Sequence, residues 1–129
     1  MLNSEDLSKY INALLSKSEE AYLMSIEIIN KPTINYRTEG FCFFICNAWE
    51  LLLKAYLINK AKDINVINYK DDSNRTIGLD ECVERVFTST TDKTKTNISF
   101  IRNIRNKSTH LILPEFDFVL APAFQRCLT

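Results

Sequence analysis

Phe41-Cys42-Phe43-Phe44-Ile45-Cys46-Asn47-Ala48-Trp49-Glu50-Leu51-Leu52-Leu53-Lys54-Ala55-Tyr56-Leu57-Ile58-Asn59-Lys60-Ala61 decides the fold. The run contains no proline or glycine and is apolar on almost every side of a helix, so it reads as the central helix of a bundle, covered all round by the others. Its exceptions are informative. Asn47, Glu50 and Lys54 fall at i, i+3 and i+7 and make one narrow polar stripe. Glu50 and Lys54 can pair at i, i+4 and point into solvent. The other reading is that the stripe faces a second polar stripe inside the protein, since a buried charge is costly unless paired.

Outward from this helix the chain alternates helical patterns with short breaks. Ser4-Glu5-Asp6 is an N-cap signal, and Leu7, Ile11, Leu14 and Leu15 follow at helical spacing. Ser16 or Ser18 restarts or continues that helix through Ala21, Leu23, Ile26, Ile28 and Ile29, until Lys31-Pro32 ends it. Thr33 to Glu39 reads as a connector, with Gly40 opening the central segment. After the central helix, Val66–Tyr69 and Arg75–Ile77 bracket the turn-forming Asp71-Asp72-Ser73-Asn74, so a small β-hairpin is expected around 65–78, outside the bundle. Asp80 is expected to cap a short helix carrying Cys82, Val83, Val86 and Phe87. Asp92 or Thr96 then caps a last long helix with Ile101, Ile104, Ser108 and Leu111 on its apolar side, and Pro114 marks its end. The tail from Glu115 to Thr129 carries Phe116, Phe118, Val119, Leu120, Phe124 and Leu128. It is too apolar for water and has no visible cap, as expected of a truncated domain or of a tail packed on a partner.

Composition agrees with an all-α reading. The chain has 129 residues and is 46% hydrophobic, enough for one core, so residues 1–129 are read as a single domain. Only two glycines and three prolines leave little material for a turn-rich β fold. Formal net charge is zero, so any attraction to nucleic acid has to be local. It is concentrated between Lys93 and His110, where five Lys/Arg occur with no Asp or Glu. Met1 to Ile11 lacks a basic and apolar leader, and Asn47 and Glu50 interrupt the longest apolar run, Phe41 to Leu53. The expected location is therefore the cytoplasm, with no membrane association. Cys42, Cys46, Cys82 and Cys127 show no CxxC spacing. With a single histidine available they read as small buried hydrophobes of a reducing compartment, so no metal and no cofactor is expected.

One sextet carries chemistry: Arg105-Asn106-Lys107-Ser108-Thr109-His110, which contains the only histidine. On a helix Asn106 and His110 share a face, Arg102 extends it one turn back, and Arg105 lies beside it. An imidazole that titrates near neutrality beside guanidinium groups suits a phosphodiester, the cation holding the phosphate and the histidine moving protons.

Asn47-Ala48-Trp49-Glu50-Leu51-Leu52-Leu53-Lys54-Ala55 on a hydrophobic helix, followed by Arg105-Asn106-Lys107-Ser108-Thr109-His110 on the last one, resembles the HEPN superfamily of nucleotide-binding domains. Ser16-Lys17-Ser18-Glu19-Glu20-Ala21-Tyr22 and Asn30-Lys31-Pro32-Thr33 are closer to an uncharacterised bacterial branch of it, known as a domain of unknown function. The resemblance implies a four- to five-helix bundle that dimerises so that two RxxxxH motifs meet. It further implies a metal-independent endoribonuclease of a toxin–antitoxin or phage-defence system, with RNA as substrate and an antitoxin or other regulatory protein as partner. By position, Arg105 and His110 are the catalytic pair and Asn106 the polar residue after the arginine. Arg102, Lys107, Asn47, Glu50 and Lys54 support the site or bind RNA. The ribose 2′-OH would be the internal nucleophile, so the protein need only align it, move its proton and stabilise the phosphorane. Two symmetry-related imidazoles, each near a pKa of roughly 6.5, would serve as base and acid, and Arg105 would grip the nonbridging oxygens. The alternative is a catalytically silent dimerisation or RNA- or nucleotide-binding module of a larger protein or complex.

Overall fold

The structure, a computed structural model, describes residues 4–69, 72–89 and 91–108. Helix α1 (Ser4–Ile29) leads to α2 (Arg37–Ala61) and a one-turn 3-10 helix (Ile64–Ile67). Strands β1 (Asn68–Tyr69) and β2 (Asp72–Thr76) follow, then α3 (Leu79–Val86) and α4 (Lys93–Ser108). The fold is all-α with one small antiparallel hairpin. The Pro114 stop and the apolar tail lie outside the described residues.

Helix α2 is the centre. It buries Phe41, Cys42, Ile45, Cys46, Ala48, Leu53, Ala55, Leu57 and Ile58 and packs against α1, the 3-10 turn, α3 and α4. By length and composition it would pass for a membrane span, but 56% of its apolar window is buried within the protein. It begins at Arg37, one turn earlier than the apolar run suggests, because the Gly40 amide already donates to the Tyr36 carbonyl at 2.8 Å and Thr38 is buried. Lys62 closes it in the left-handed conformation (φ 57°), its amide donating to the Ile58 carbonyl.

Helix α1 runs unbroken from Ser4 to Ile29, so Ser16 and Ser18 continue it rather than restart it. Its line of contact is not the one drawn through its largest side chains. Leu15 and Leu23 are exposed, whereas Ser18, Ala21 and Ser25 are buried. The seam thus runs Leu7, Ile11, Leu14, Ser18, Ala21, Ser25, with small residues over its second half. The Ser18 hydroxyl donates to the Ala48 carbonyl at 2.7 Å. Ile28 packs within van der Waals reach of Gly40, so the two helices run antiparallel.

The hairpin is not outside the bundle, contrary to the sequence reading. Ile67 and Ile77, which flank it, are almost completely buried in the main core, and the Ile77 amide donates to the Ile67 carbonyl at 2.7 Å. The register pairs Asn68 with Thr76 and Tyr69 with Asp72 across an irregularity. β2 therefore starts at Asp72, inside the segment read as the turn. Helix α3 starts at Leu79 with Gly78 at its cap and no side-chain cap bond, so Asp80 sits in the first turn instead of capping it. For α4 the cap is Asp92 rather than Thr96, the other candidate, which lies within the helix: the Asp92 Oδ1 accepts from the Lys95 amide at 3.1 Å. Its core-facing stripe is Ile98, Ile101 and Ile104, with Ile98 an addition to the sequence reading.

The tight α1–α2 seam yields a test. Ser18→Ala removes one hydrogen bond and is expected to cost about 1 kcal/mol. Ser18→Val also adds volume at a buried position of the seam and should cost about 1–3 kcal/mol more. Urea denaturation of the two variants checks this, and equal midpoints would mean that the seam has slack.

Candidate functional site

The last turns of α4 present the motif. Arg105 is half-buried, because its spacing from Ile98 and Ile101 puts its stem at the edge of the core-facing stripe. Its guanidinium turns to the neighbouring side chain: Nη2 and Nε lie 3.2 and 3.4 Å from the Asn106 Oδ1, which accepts from both. Asn106 and Lys107 are exposed. Thr109 and His110 lie outside the described residues. The amide therefore holds the guanidinium at the helix end, where a cation also complements the carbonyl end of the helix dipole.

Arg102 has a different role from the one its spacing suggests. Its Nε lies 2.8 Å from Asp80 Oδ1 and its Nη1 3.0 Å from Asp80 Oδ2, a fork-to-carboxylate pair that joins α4 to α3. Lys95 adds a second link to Glu84 at 3.3 Å. Around these pairs Asp80, Val83, Glu84, Ile98, Ser99 and Arg102 line a pocket of about 250 Å³. Arg102 is thus bound to Asp80 rather than to Glu50, and Asp80 owes its place to that pair.

The polar stripe on α2 matches neither expectation in full. Glu50 and Lys54 do pair, Nζ to Oε2 at 3.0 Å, but the ammonium turns inward instead of into solvent. The Lys54 side chain is 8% exposed and donates a second hydrogen bond to Thr76 Oγ1 at 2.9 Å, so the hairpin closes over it. The Glu50 carboxylate is 26% exposed. Asn47, two turns before Lys54, is half-buried. Nothing in the sequence marks Thr76 as a partner, because the pairing depends on how the hairpin folds back.

Cys82 of α3 lies in the field of this pair. Burial pushes its thiol up from about 9.0 to about 11, a rise that Lys54 opposes and Glu50 supports. Cys42, Cys46 and Cys82 are all buried, as read from the sequence, and Cys127 lies outside the described residues. Among the described residues no three His, Cys, Asp or Glu side chains come together as metal ligands.

The geometry defines an all-α bundle with two separate polar features, the cationic, amide-bearing last turn of α4 and a hairpin-covered ion pair on the central helix, and no described contact joins them. The chain belongs to the family described as Domain of unknown function (DUF3644), whose model matches residues 13–129. No curated protein and no solved structure matches it.

Two measurements test these assignments. Glu50→Ala leaves the buried Lys54 ammonium with only a hydroxyl partner. It is expected to cost about 2–3 kcal/mol, below the usual figure for breaking a buried pair because the carboxylate keeps some water. Asp80→Ala, on a far more exposed pair, should change stability by no more than about 1 kcal/mol. A Glu50→Ala variant as stable as wild type would show the pair to be solvated.

The second concerns alkaline pH. An unfolded Cys82 thiol loses its proton near 9 while the buried one keeps it to about 11. The folded state therefore binds more protons in that window, and stability is full below it and falls as pH rises through it. Cys82→Ala should flatten the decline between pH 9 and 11, read from urea midpoints across that range.

Proposed function

We propose that the protein is a metal-independent endoribonuclease of the HEPN type, acting in the cytoplasm as part of a bacterial toxin–antitoxin or phage-defence system. One observation carries the reading: Arg105 and Asn106, which open the RNxxxH string, sit in the last described turn of α4, a helix without a single acidic residue, and the arginine is held by its own asparagine. The chemistry follows from the residue types. Arg105 binds the nonbridging phosphate oxygens, Asn106 fixes the guanidinium plane, and His110 transfers the proton of the attacking 2′-OH. Lys107 adds local positive charge. Arg102, engaged by Asp80, acts indirectly by holding α3 against α4. Asn47, Glu50 and Lys54 support the site from α2. A homodimer brings the second imidazole needed as the acid, since isologous pairing is the commonest way for one chain to duplicate a group.

The test is cleavage of a defined RNA transcript. Wild type is expected to cut in the presence of EDTA and leave 2′,3′-cyclic phosphate and 5′-hydroxyl ends, with a 2′-deoxy substrate left intact. Arg105→Ala and His110→Ala should each lower the rate by at least ~10² with little change in melting temperature. Variants that cleave as fast as wild type would assign the activity to a contaminant. An inactive wild type whose variants lose RNA binding or self-association would make the domain a silent binding module.

A further inference from the structure

The inner sides of α4 are occupied. Ile98, Ile101 and Ile104 face the core, and Lys95 and Arg102 are paired with α3. A third side remains, formed by Lys93, Thr96, Phe100, Asn103 and Lys107, which helical spacing aligns and all of which are exposed. Phe100 is its only aromatic and is 44% exposed. Its neighbours one turn away on this side are Thr96 and Asn103, and Ile104 at i+4 is buried, so among the described residues of α4 the ring is the exposed apolar group on this side. Lys93 and Lys107 lie two turns to either side of it, about 10 Å away along the axis. Among the described residues neither lysine has an ion-pair partner. A shallow depression lined by Lys95, Thr96, Ser99, Phe100 and Asn103, with Glu84 at its α3 edge, borders the ring.

We propose that this outer side of α4 is a single-stranded RNA platform that feeds the motif at the helix end. The inference rests on the nuclease reading for the identity of the strand, and on the surface itself for the place it binds. A base stacks on the Phe100 ring, the two lysines contact phosphates before and after it, and Asn103 and Thr96 offer hydrogen bonds to base edges or sugar. An isolated aromatic flanked by unpaired cations is what a flexible strand needs, because stacking tolerates any base and the cations follow the backbone. A protein partner would instead favour an aromatic set among other apolar side chains. Duplex is disfavoured, since a base must be unstacked to cover the ring. Lys107 is one residue beyond Asn106, so a strand lying along this side ends next to the motif and wraps part of the way round α4 to reach Asn106 and then Arg105 at the edge of the core-facing stripe. The platform fixes where the strand enters, and Phe100 is a binding residue for it.

The test uses the whole 129-residue chain in a His110→Ala background, with a fluorescein-labelled single-stranded RNA of mixed sequence as probe and fluorescence anisotropy as readout. Phe100→Ala is expected to weaken binding about 5- to 150-fold, the range for loss of one stacked base. Lys93→Ala combined with Lys107→Ala should flatten the dependence of log affinity on log salt by about 1.4, from two lost phosphate contacts. Circular dichroism checks that these surface variants stay folded. Wild type with His110 restored is assayed for cleavage alongside. If it cleaves RNA while Phe100→Ala and the lysine variant bind as tightly as their parent, the platform is overturned and the nuclease reading stands. If it does not cleave but the two variants lose binding as expected, the platform stands without the nuclease. Tighter binding to a duplex of the same sequence would overturn the platform.

Discussion

A helix that is apolar nearly all round, yet carries a buried ammonium, constrains the rest of this structure. The apolar surface of α2 has to be covered, which recruits α1, α3 and α4 and draws in the 3-10 turn before the hairpin. The Lys54 ammonium then has to be satisfied where little water reaches it. Glu50 supplies one acceptor from the same helix, but the second comes from Thr76, so β2 has to lie across α2 rather than beyond it. A charge inside the core thereby fixes the position of an otherwise marginal two-stranded hairpin, which would be unstable by itself in water. The desolvation of a lysine is a poor source of stability, and its contribution here is to position one hairpin arrangement over another.

The elements most legible in the sequence were those set by local rules. Hydrophobic periodicity locates α1, α2 and α4, the Lys31-Pro32 pair marks the end of α1, and Asp92, one of two candidates, is the cap of α4. What failed depended on proximity between distant segments. Leu15 and Leu23 look like contact residues by size, but the seam follows Ser18, Ala21 and Ser25, because close approach of two helices favours small side chains over large ones. Asp80 has the residue type of a cap but sits in the first turn of α3. Its carboxylate is claimed by Arg102, a pairing across 22 positions that no local pattern reveals.

The candidate site divides along the same line. Arg105 and Asn106 were evident from their spacing, and their contact joins adjacent residues on one helix. Arg102, grouped with them by periodicity, is drawn away by α3. Periodicity says which residues share a side of a helix, and only the packing of the neighbouring element says which of them remain available to a ligand. That distinction also separates Lys95 from Lys93 and Lys107 on a helix where all are equally basic in sequence.

The antiparallel pairing of α1 with α2 has a kinetic side. Their connector is short, so bringing them together closes a small loop, and the entropy lost is modest compared with docking α3, the hairpin or α4. Contacts that are close in sequence form early, and this pair contributes the most extensive of them. The α1–α2 hairpin is therefore the expected nucleus, with the Ser18–Ala48 hydrogen bond at its middle. On a ribosome it can assemble before the segment from Lys93 onward has been made. Until that segment docks, the side of α2 that receives Ile98, Ile101 and Ile104 stays wet, and the vulnerable interval in the life of this chain is the one between completing α2 and completing α4.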